Sequence, residues 1–396
     1  MDVRDEEIEE SVGNEAGNIE RGYRVTPWQV DGVVDYNKIV QDFGTRLITP
    51  EIIEKLQKYS GNTHPLLSRG FFFSHRDLDL VLDAYRNGEN FYLYTGRGPS
   101  GYIHMGHLMP WFFTKYLQDT FGSRLLFQIT DDEKFLYSQH LSLQEVEKYA
   151  YDNILDVIAM GFDPKLTRIV IDTKNIQTLY PLCLEISKRL TFSTAKAVFG
   201  YKPSSNIGMI GFPAIQAAPC FLPSLIEKKS TRVLIPAAID QDPYWRITRD
   251  IAEKMGYYKP AQVHSKFVPS LEMNGKMSSS KPAGAIFTTD NPEMIESKIT
   301  SAYTGGQPSV GLQRILGGDP DACPVFWYLS HFFDDGKDSF ERSLKCRTGN
   351  LLCGECKSDL TNQTKLFMSE FTRRRNQARD QVDSYLYEEN PFEQLH

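Results

Sequence analysis

Two short motifs, far apart in a chain of 396 residues, carry side chains that can bind a triphosphate. The first is the HMGH motif, His104 to His107, and the second is the KMSSS loop, Lys276 to Ser280. The HMGH motif stands at the predicted start of a helix, where backbone N–H groups and the helix dipole favour an anion. The KMSSS loop follows a predicted turn at Asn274 and Gly275 and offers a cation and hydroxyls. Together they indicate a nucleotide site.

Each motif supplies a definite part of that chemistry. His104 and His107 can donate to phosphate oxygens, and Gly106 lets a nucleotide approach the backbone. Lys276 can meet the negative charge that develops when a carboxylate attacks an α-phosphate and expels pyrophosphate. Taken singly, the histidines could be unrelated residues at a helix start, and KMSSS could be an ordinary polar loop. Their joint presence favours the nucleotide interpretation.

A glycine pattern shortly before the first motif leaves a second interpretation open. Gly96, Gly98 and Gly101 satisfy GxGxxG directly after a predicted strand. Asp119 or Asp131 then lies at the distance of a ribose-binding acid, so a dinucleotide-binding turn has to be considered. This pattern alone is weak evidence.

The elements that must position these motifs are predicted to form a parallel sheet. We predict strands at Asn90–Thr95, Leu125–Thr130 and Val233–Ile239, each ending in polar residues. Between the first two, apolar residues recur at helical spacing over His104–Asp119. A strand–helix–strand unit is typical of parallel α/β sheets. Asn291, followed by Pro292, predicts a helix start, and the chain beyond about residue 285 is expected to be helical.

Composition limits the class of protein. The net charge is −7, and residues 1–22 account for −6 of it, so this segment is predicted to be a disordered acidic tail. No apolar run is long enough for a membrane span, and the start lacks the features of a signal or transit peptide. We expect a cytoplasmic protein with no membrane partner. Local basic patches remain compatible with RNA, and no DNA partner is expected.

The six cysteines do not suggest a disulfide scaffold. Cys353 and Cys356 form a CxxC with Cys346 nearby, which could be part of a zinc site. The sequence offers no fourth ligand at metal spacing, so no metal site is predicted.

The HMGH and KMSSS elements resemble the HIGH and KMSKS signatures of class I aminoacyl-tRNA synthetases. Ser279 stands where that family often has a second lysine. Four further stretches are similar to the eukaryotic and archaeal tryptophanyl-tRNA synthetases: FYLYTGRGPS (Phe91–Ser100), QITDDEK (Gln128–Lys134), GFPAIQAAP (Gly211–Pro219) and AIDQDPYWRITRD (Ala238–Asp250). The resemblance runs from about Thr26 to near the C-terminus.

The resemblance implies an α/β fold with a Rossmann-like parallel-sheet catalytic domain and an all-α C-terminal anticodon-binding domain. We expect an acidic tail at 1–22, an N-terminal extension at 23–70, a catalytic domain at 71–284 and a helical domain at 285–396. An insertion at about 140–225 would carry the interface of a homodimer. The implied reaction activates L-tryptophan with ATP, accompanied by Mg²⁺, and transfers it to tRNA(Trp).

The resemblance also implies roles for individual residues. Catalysis would involve His104, His107, Lys276 and Arg97. The residues expected to bind ATP are Thr95, Gly96, Arg97, His104, Gly106, His107, Lys134, Asp240, Lys276, Met277 and Ser278. Tyr94 and Gln128 would hold the indole N–H of tryptophan, Glu133, Gln216 and Gln241 would surround its α-amino group, and Trp245 is a further tryptophan-binding candidate. Asp240 would bind ribose, although it or Asp242 could instead cap a helix.

Alternatives to this function stay open at the level of sequence. A tyrosyl-tRNA synthetase shares both signatures. A nicotinamide-dependent oxidoreductase would rest on the glycine pattern alone. A synthetase-derived binding protein that has lost catalysis is the non-enzyme alternative. For tRNA, Arg373 to Arg375 and Arg379 could form a basic face on a C-terminal helix.

Overall fold

The structure is a computed structural model that describes residues 23–27, 30–32, 34–273 and 275–388. The predicted acidic tail at 1–22 and Asn274 of the predicted turn lie outside the described residues. None of the helices in the described part of the chain is both long and apolar enough to cross a lipid bilayer.

A seven-stranded sheet forms the centre of the molecule. Its strands are β3 Arg46–Leu47, β4 Phe72–Arg76, β5 Phe91–Arg97, β6 Leu125–Ile129, β7 Thr167–Ile171, β8 Arg232–Ala238 and β9 Ala261–Ser265. They lie in the order β3-β4-β9-β8-β5-β6-β7, and the five from β9 to β7 are parallel. β3 and β4 are antiparallel additions at one edge. A separate hairpin pairs β1 Tyr23–Val25 with β2 Val30–Gly32.

The chain changes direction across the sheet between β5 and β8. From β5 it proceeds through β6 to β7 on one side, and β8 and β9 follow on the other side. In open parallel sheets, the crevice at the carboxyl ends of two such strands is where ligands bind. The residues that follow β5 and β8 are therefore placed at the expected binding edge.

Twelve α-helices precede the C-terminal region in the described residues. They are α1 Tyr36–Phe43, α2 Pro50–Ser60, α3 Pro65–Ser68, α4 Leu78–Arg86, α5 Met105–Phe121, α6 Asp131–Tyr137, α7 Leu143–Ala159, α8 Ile176–Ser187, α9 Phe192–Phe199, α10 Ile207–Ala217, α11 Leu222–Ile226 and α12 Asp242–Ala252.

Helices cover both faces of the sheet, because its strands are apolar on both sides. Successive side chains of a strand point to opposite faces, and β5 divides accordingly. Leu93 packs in the core that includes Leu108 of α5, whereas Tyr92 and Tyr94 pack in the core that includes Phe212 of α10.

The C-terminal region is helical, as predicted. Its helices are α13 Pro292–Ser301, α14 Val310–Leu316, α15 Pro324–Tyr328, α16 Gly336–Arg347, α17 Cys353–Ala378 and α18 Val382–Tyr385. The predicted start at Asn291 is confirmed, since the Asn291 side chain accepts a hydrogen bond of 2.8 Å from the Met294 N–H. Of the predicted basic face, Arg375 points inward and its Nε lies 3.1 Å from Asp156 of α7.

The three predicted strands and the helix between the first two are confirmed as β5, β6, β8 and α5. The predicted insertion at 140–225 contains a strand of the main sheet, because β7 pairs in parallel with β6. The main sheet therefore extends into the first part of that range. The five-residue stretch Thr167–Ile171 is too short for its pattern to be separated from the helices around it. The domain boundaries stay predictions.

Candidate nucleotide and amino-acid site

The HMGH motif forms the tip of α5. His104 is the N-cap residue, and its backbone N–H donates to Nδ1 of His107 at 3.2 Å. The two imidazole rings stack with centroids 3.6 Å apart. Burial, followed by the nearby charge of Arg97, holds the pKa of both histidines well below the usual value. Both rings are therefore neutral at physiological pH, and each offers one N–H donor.

The KMSSS loop reaches this helix tip through Met277. The Gly106 N–H donates to the Met277 sulfur at 3.2 Å. A Cβ at position 106 would stand 3.0 Å from His104 Nδ1 and 3.4 Å from the Met277 sulfur. The absence of a side chain at Gly106 therefore lets the KMSSS loop and the His104 ring pack this closely.

A short hairpin positions Lys276. The Met277 N–H donates to Val268 O at 2.8 Å, and the Ser270 N–H donates to Gly275 O at 3.1 Å. Lys276 Nζ lies 3.4 Å from Asp240 Oδ2, beyond the carboxyl end of β8. The hairpin therefore brings its ammonium group to the end of the sheet where the HMGH motif lies. The hydroxyls of Ser278 and Ser280 bond to each other at 2.9 Å.

Two further cations lie after β5 and β6. Arg97 ends β5, and its Nε donates to Asn153 Oδ1 at 3.3 Å, while its Nη2 is buried without a hydrogen-bond partner among the described residues. Burial lowers the pKa of Arg97 to about 10, so it stays charged at neutral pH. Lys134 Nζ lies 2.9 Å from Glu133 Oε2. A Cβ on Gly98 would stand 2.1 Å from Lys134 Cε, so this glycine leaves room for the lysine.

A buried polar group joins β5, β6 and α10. The Tyr94 hydroxyl donates to Gln128 Oε1, and Gln216 Nε2 donates to the Tyr94 hydroxyl at 3.1 Å. Gln128 Nε2 in turn donates to both carboxyl oxygens of Asp172, at 2.8 and 3.0 Å. Burial, then the charge of Asp132, raises the pKa of Asp172 well above its usual value, and burial likewise raises that of Tyr94. The hydrogen bonds hold the side chains of Tyr94, Gln128 and Gln216 in fixed orientations.

Trp245 closes one side of this group. Its ring meets that of Tyr94 edge to face, with centroids 5.3 Å apart. Its indole nitrogen is buried and has no hydrogen-bond partner in the described part of the chain. Trp245 therefore contributes an aromatic wall rather than a satisfied hydrogen bond.

The predicted site residues that follow β8 make different contacts. Asp240 faces Lys276, and Gln241 Nε2 lies 3.4 Å from Pro27 O and 3.4 Å from Asp240 Oδ1. The N-cap residue of α12 is Gln241, and no side chain caps this helix. Neither Asp240 nor Asp242 therefore caps α12. Asp242 instead pairs with Arg76 at 2.7 Å; although burial raises its pKa, bonds from His264 and Arg76 bring it down to about 2.

Thr95 and Gly96 lie against the neighbouring strands β8 and β6. The Thr95 hydroxyl donates to Pro236 O of β8 at 3.1 Å, so that donor is used within the sheet. A Cβ on Gly96 would stand 2.8 Å from Gln128 O. The glycine pattern from Gly96 to Gly101 does not open a helix, because Gly96 lies in β5 and α5 begins only at Met105. This disfavours the dinucleotide turn, in which the glycines lead directly into the helix.

The structure thus brings the predicted residues into two adjoining groups at the carboxyl edge of the sheet. The first, around the tip of α5, includes the candidates for phosphate chemistry, and the second, around Tyr94, includes those for the amino acid. Sequence reasoning missed Asp172 and Asn153. Asp172 follows β7 directly, a position that would have identified it had β7 been recognised. Asn153 lies within α7, and nothing in the sequence distinguishes it there.

Comparisons with known proteins agree with this geometry. The model of the family "tRNA synthetases class I (W and Y)" matches residues 86–369. The tryptophan–tRNA ligase of Pyrobaculum calidifontis is 49% identical over 361 residues, 91% of this chain and 96% of the relative. That of Pyrococcus abyssi is 51% identical over 369 residues, covering 92% and 94%.

Solved structures are similar as well. The tryptophanyl-tRNA synthetase of Plasmodium falciparum has a TM-score of 0.84 and 37% identity, covering 89% of this chain and 98% of that one. The enzyme of Aeropyrum pernix has a TM-score of 0.82 and 31% identity, covering 89% and 96%. With its sheet, its helix tip and its lysine hairpin, the chain belongs to the class I tRNA synthetases of the tryptophan and tyrosine group.

Proposed function

We propose that the chain is a tryptophan–tRNA ligase, which uses ATP to convert L-tryptophan to tryptophanyl-adenylate and then transfers the tryptophanyl group to tRNA(Trp). The observation that carries the proposal is the contact between the tip of α5 and the KMSSS loop, where the Gly106 N–H meets the Met277 sulfur at 3.2 Å beside the buried Tyr94 group. The relatives at about half identity that bear this name support the choice of amino acid.

ATP would bind around the helix tip. Neutral His104 and His107 donate to phosphate oxygens, and Gly106 lets the chain approach the nucleotide. Lys276, Lys134 and Arg97 supply the positive charge. Asp240 would accept from a ribose hydroxyl once Lys276 turns towards the triphosphate, and Met277 would lie near adenine. Thr95 and Gly96 would shape the floor of this site, and Ser278 would add a hydroxyl donor.

Tryptophan would bind beside the side chains of Tyr94, Gln128 and Gln216. An indole is an apolar body with one N–H donor, so its pocket needs an apolar wall and a well-placed acceptor. Tyr94 and Gln128 provide acceptor oxygens, and Trp245 provides a wall. Glu133, Gln216 and Gln241 would surround the α-amino group. A side chain without the indole donor leaves buried polar atoms unpaired, which costs binding free energy.

Activation is an in-line attack of the tryptophan carboxylate on the α-phosphorus of ATP. The P–O bond to the leaving pyrophosphate breaks as the mixed anhydride forms, and the negative charge that accumulates is met by Lys276 and the helix tip. The imidazoles of the helix tip and the cations around it suit phosphate oxygens, and the nearby carboxylates of Asp240 and Glu133 are paired with Lys276 and Lys134. Mg²⁺ would therefore be carried by the phosphate oxygens of ATP itself.

Transfer, assembly and location are further parts of the proposal. A terminal ribose hydroxyl of the tRNA attacks the adenylate carbonyl and releases AMP, while the helical C-terminal region contacts the anticodon. A homodimer would form through the segment after β7, where exposed apolar side chains lie on α8, α9 and α10: Tyr180, Leu184, Phe192 and Ile207. We propose a cytoplasmic location, without membrane or DNA partners.

Charging of tRNA tests the proposal. The purified chain, ATP and a tRNA(Trp) transcript should give tryptophanyl-tRNA, and tyrosine with a tRNA(Tyr) transcript is the control. Charging with tyrosine instead would make the chain a tyrosyl-tRNA synthetase. If neither tRNA is charged by a folded protein, the alternative of a catalytically inactive binding protein is correct.

A further inference from the structure

A buried asparagine of α7 contacts the loop that leads into the HMGH motif. Asn153 is 0% exposed, and the loop runs from the end of β5 at Arg97 to the start of α5 at Met105. Asn153 Oδ1 accepts from Arg97 Nε at 3.3 Å, and its Nδ2 donates to Gly101 O at 3.0 Å. The amide therefore bridges a side chain and a backbone carbonyl of the same loop.

Both ends of this carboxamide are bonded, so its orientation is fixed. An asparagine amide has one acceptor oxygen and one donor nitrogen, whereas Arg97 offers only donors and Gly101 O only accepts. Turning the amide over would set its nitrogen against the guanidinium and its oxygen against the carbonyl, and both hydrogen bonds would be lost. Gly101 O therefore keeps the oxygen of Asn153 directed at Arg97.

The contact holds Arg97 by its Nε edge and leaves the far end of the guanidinium for another partner. Arg97 Nη2 is buried, and no residue that the structure describes accepts a hydrogen bond from it. A buried donor without a partner costs free energy, which an anionic ligand would recover. Burial and then the charge of Arg97 lower the pKa of His104 and of His107, so this charge lies close to the tip of α5.

Two ion pairs fix the part of α7 that carries Asn153. Arg375 of α17 places its Nη2 2.5 Å from Asp152 Oδ1 and its Nε 3.1 Å from Asp156 Oδ1. Asp156 lies three residues after Asn153, so the two side chains share one face of the helix. Arg97 is therefore held from a helix that is itself anchored to a second helix.

We propose that Asn153 is a positioning residue for ATP, which holds Arg97 by its Nε edge so that the Nη groups face phosphates bound at the tip of α5. This role rests on the proposed function and deepens it. Both polar atoms of Asn153 are bonded, so it acts on ATP only through Arg97. Without Asn153 the guanidinium keeps its charge but loses its direction, and the transition state is bound more weakly.

Pyrophosphate exchange, with the concentrations of ATP and tryptophan varied separately, tests the proposal. Asn153→Ala should lower kcat/KM for ATP roughly 10- to 100-fold and leave the KM for tryptophan within about 2-fold of the wild-type value. A merely structural role would not separate the two substrates in this way.

Gln118→Ala is the matched control. Gln118 is likewise a buried amide with both ends bonded, to Thr167 Oγ1 and to the Asp163 N–H at 2.9 Å each, near the start of β7. This variant should lose a comparable free energy of unfolding and keep the wild-type kcat/KM for ATP. Equal values of kcat/KM for ATP in Asn153→Ala and Gln118→Ala would overturn the proposal.

A double-mutant cycle asks whether Asn153 acts through Arg97. Arg97→Ala alone should lower kcat/KM for ATP roughly 10²- to 10³-fold. Adding Asn153→Ala to it should change this value by less than about 2-fold, because the asparagine then has no guanidinium to position. If the two effects multiply instead, Asn153 acts independently of Arg97 and the proposal is wrong.

Asn153→Asp provides a second variant in case the alanine variant does not fold. It keeps the size and the acceptor but sets a carboxylate beside Arg97 and against Gly101 O, so kcat/KM for ATP should again fall, by about 10-fold. An unchanged value would overturn the proposal. Folded wild-type protein that exchanges no pyrophosphate with any amino acid would refute the proposed function, and this role with it.

Discussion

Lys276 Nζ lies 3.4 Å from Asp240 Oδ2, so the KMSSS loop is held to the end of β8 by an ion pair. The side chains are 26% and 9% exposed. Lys276 therefore stands at the sheet edge with a partner that it can exchange for phosphate. A cation preplaced in this way needs little reorganisation when the negative charge on the phosphate builds up.

Replacing Lys276 tests this role. Lys276→Ala should lower the rate of adenylate formation roughly 10²- to 10³-fold, the scale of losing one preorganised donor, with little change in tryptophan affinity. Single-turnover measurements of adenylate formation would give both values. An unchanged rate would rule out Lys276 as the group that stabilises the transition state.

Gly98 gives a test of the second cation. In Gly98→Ala the new Cβ would stand 2.1 Å from Lys134 Cε, and the flexible lysine must move away from its present place. We expect kcat/KM for ATP to fall about 10-fold with little loss of stability, since the groups displaced are the ends of two side chains, that of Lys134 and that of Glu133, whose Oε2 would be 2.9 Å from the new Cβ. Gly101→Ala is the matched control, because a Cβ there meets nothing within 4 Å. Equal activity of the two variants would contradict a role for Lys134.

Asp172 is predicted to position Gln128 for the amino acid. Asp172→Ala removes both acceptors of the Gln128 amide, and the freed side chain loses its orientation towards Tyr94. The KM for tryptophan should rise about 10-fold while the KM for ATP changes little. Asp172→Asn, which keeps an acceptor oxygen, should recover part of the loss. A parallel rise in both KM values would indicate general damage instead.

His64 gives a prediction for pH. Burial, then the charge of Arg69, lowers its pKa to about 4 in the folded state. The unfolded chain therefore binds more protons between pH ~6.5 and about 4, and stability is lost as pH falls through this window. His64→Asn keeps an acceptor for the Leu66 N–H and removes the titrating group. Between pH 7 and pH 5, the free energy of unfolding of this variant should therefore fall by roughly 1 to 2 kcal/mol less than that of the wild-type protein. Urea unfolding at both pH values measures this, and equal losses would refute it.

The parts of the fold that follow from periodicity were predictable. Apolar stretches ending in polar residues indicated β5, β6 and β8, and the spacing of apolar residues indicated α5. The same logic missed β7, because five residues between long helices do not give a distinct period. Missing β7 also meant missing Asp172, the residue that orients Gln128.

Contacts between distant segments could not be predicted from the sequence. The motifs placed His104 and Lys276 in one site, but the pairing of Lys276 with Asp240 depends on how a hairpin folds. Thr95 is predicted to bind nucleotide, and the sequence could not show that its hydroxyl donates to Pro236 O of a neighbouring strand. Cys323 was not connected with the CxxC, because the two are neighbours only after α15 and α17 have packed.

Amino-acid-dependent pyrophosphate exchange, run with all twenty amino acids, measures directly which amino acid the chain activates. We expect exchange of label from pyrophosphate into ATP with tryptophan, and far slower exchange with tyrosine and phenylalanine, which lack the indole donor. Exchange driven by tyrosine, or none with tryptophan in a folded protein, would contradict this expectation.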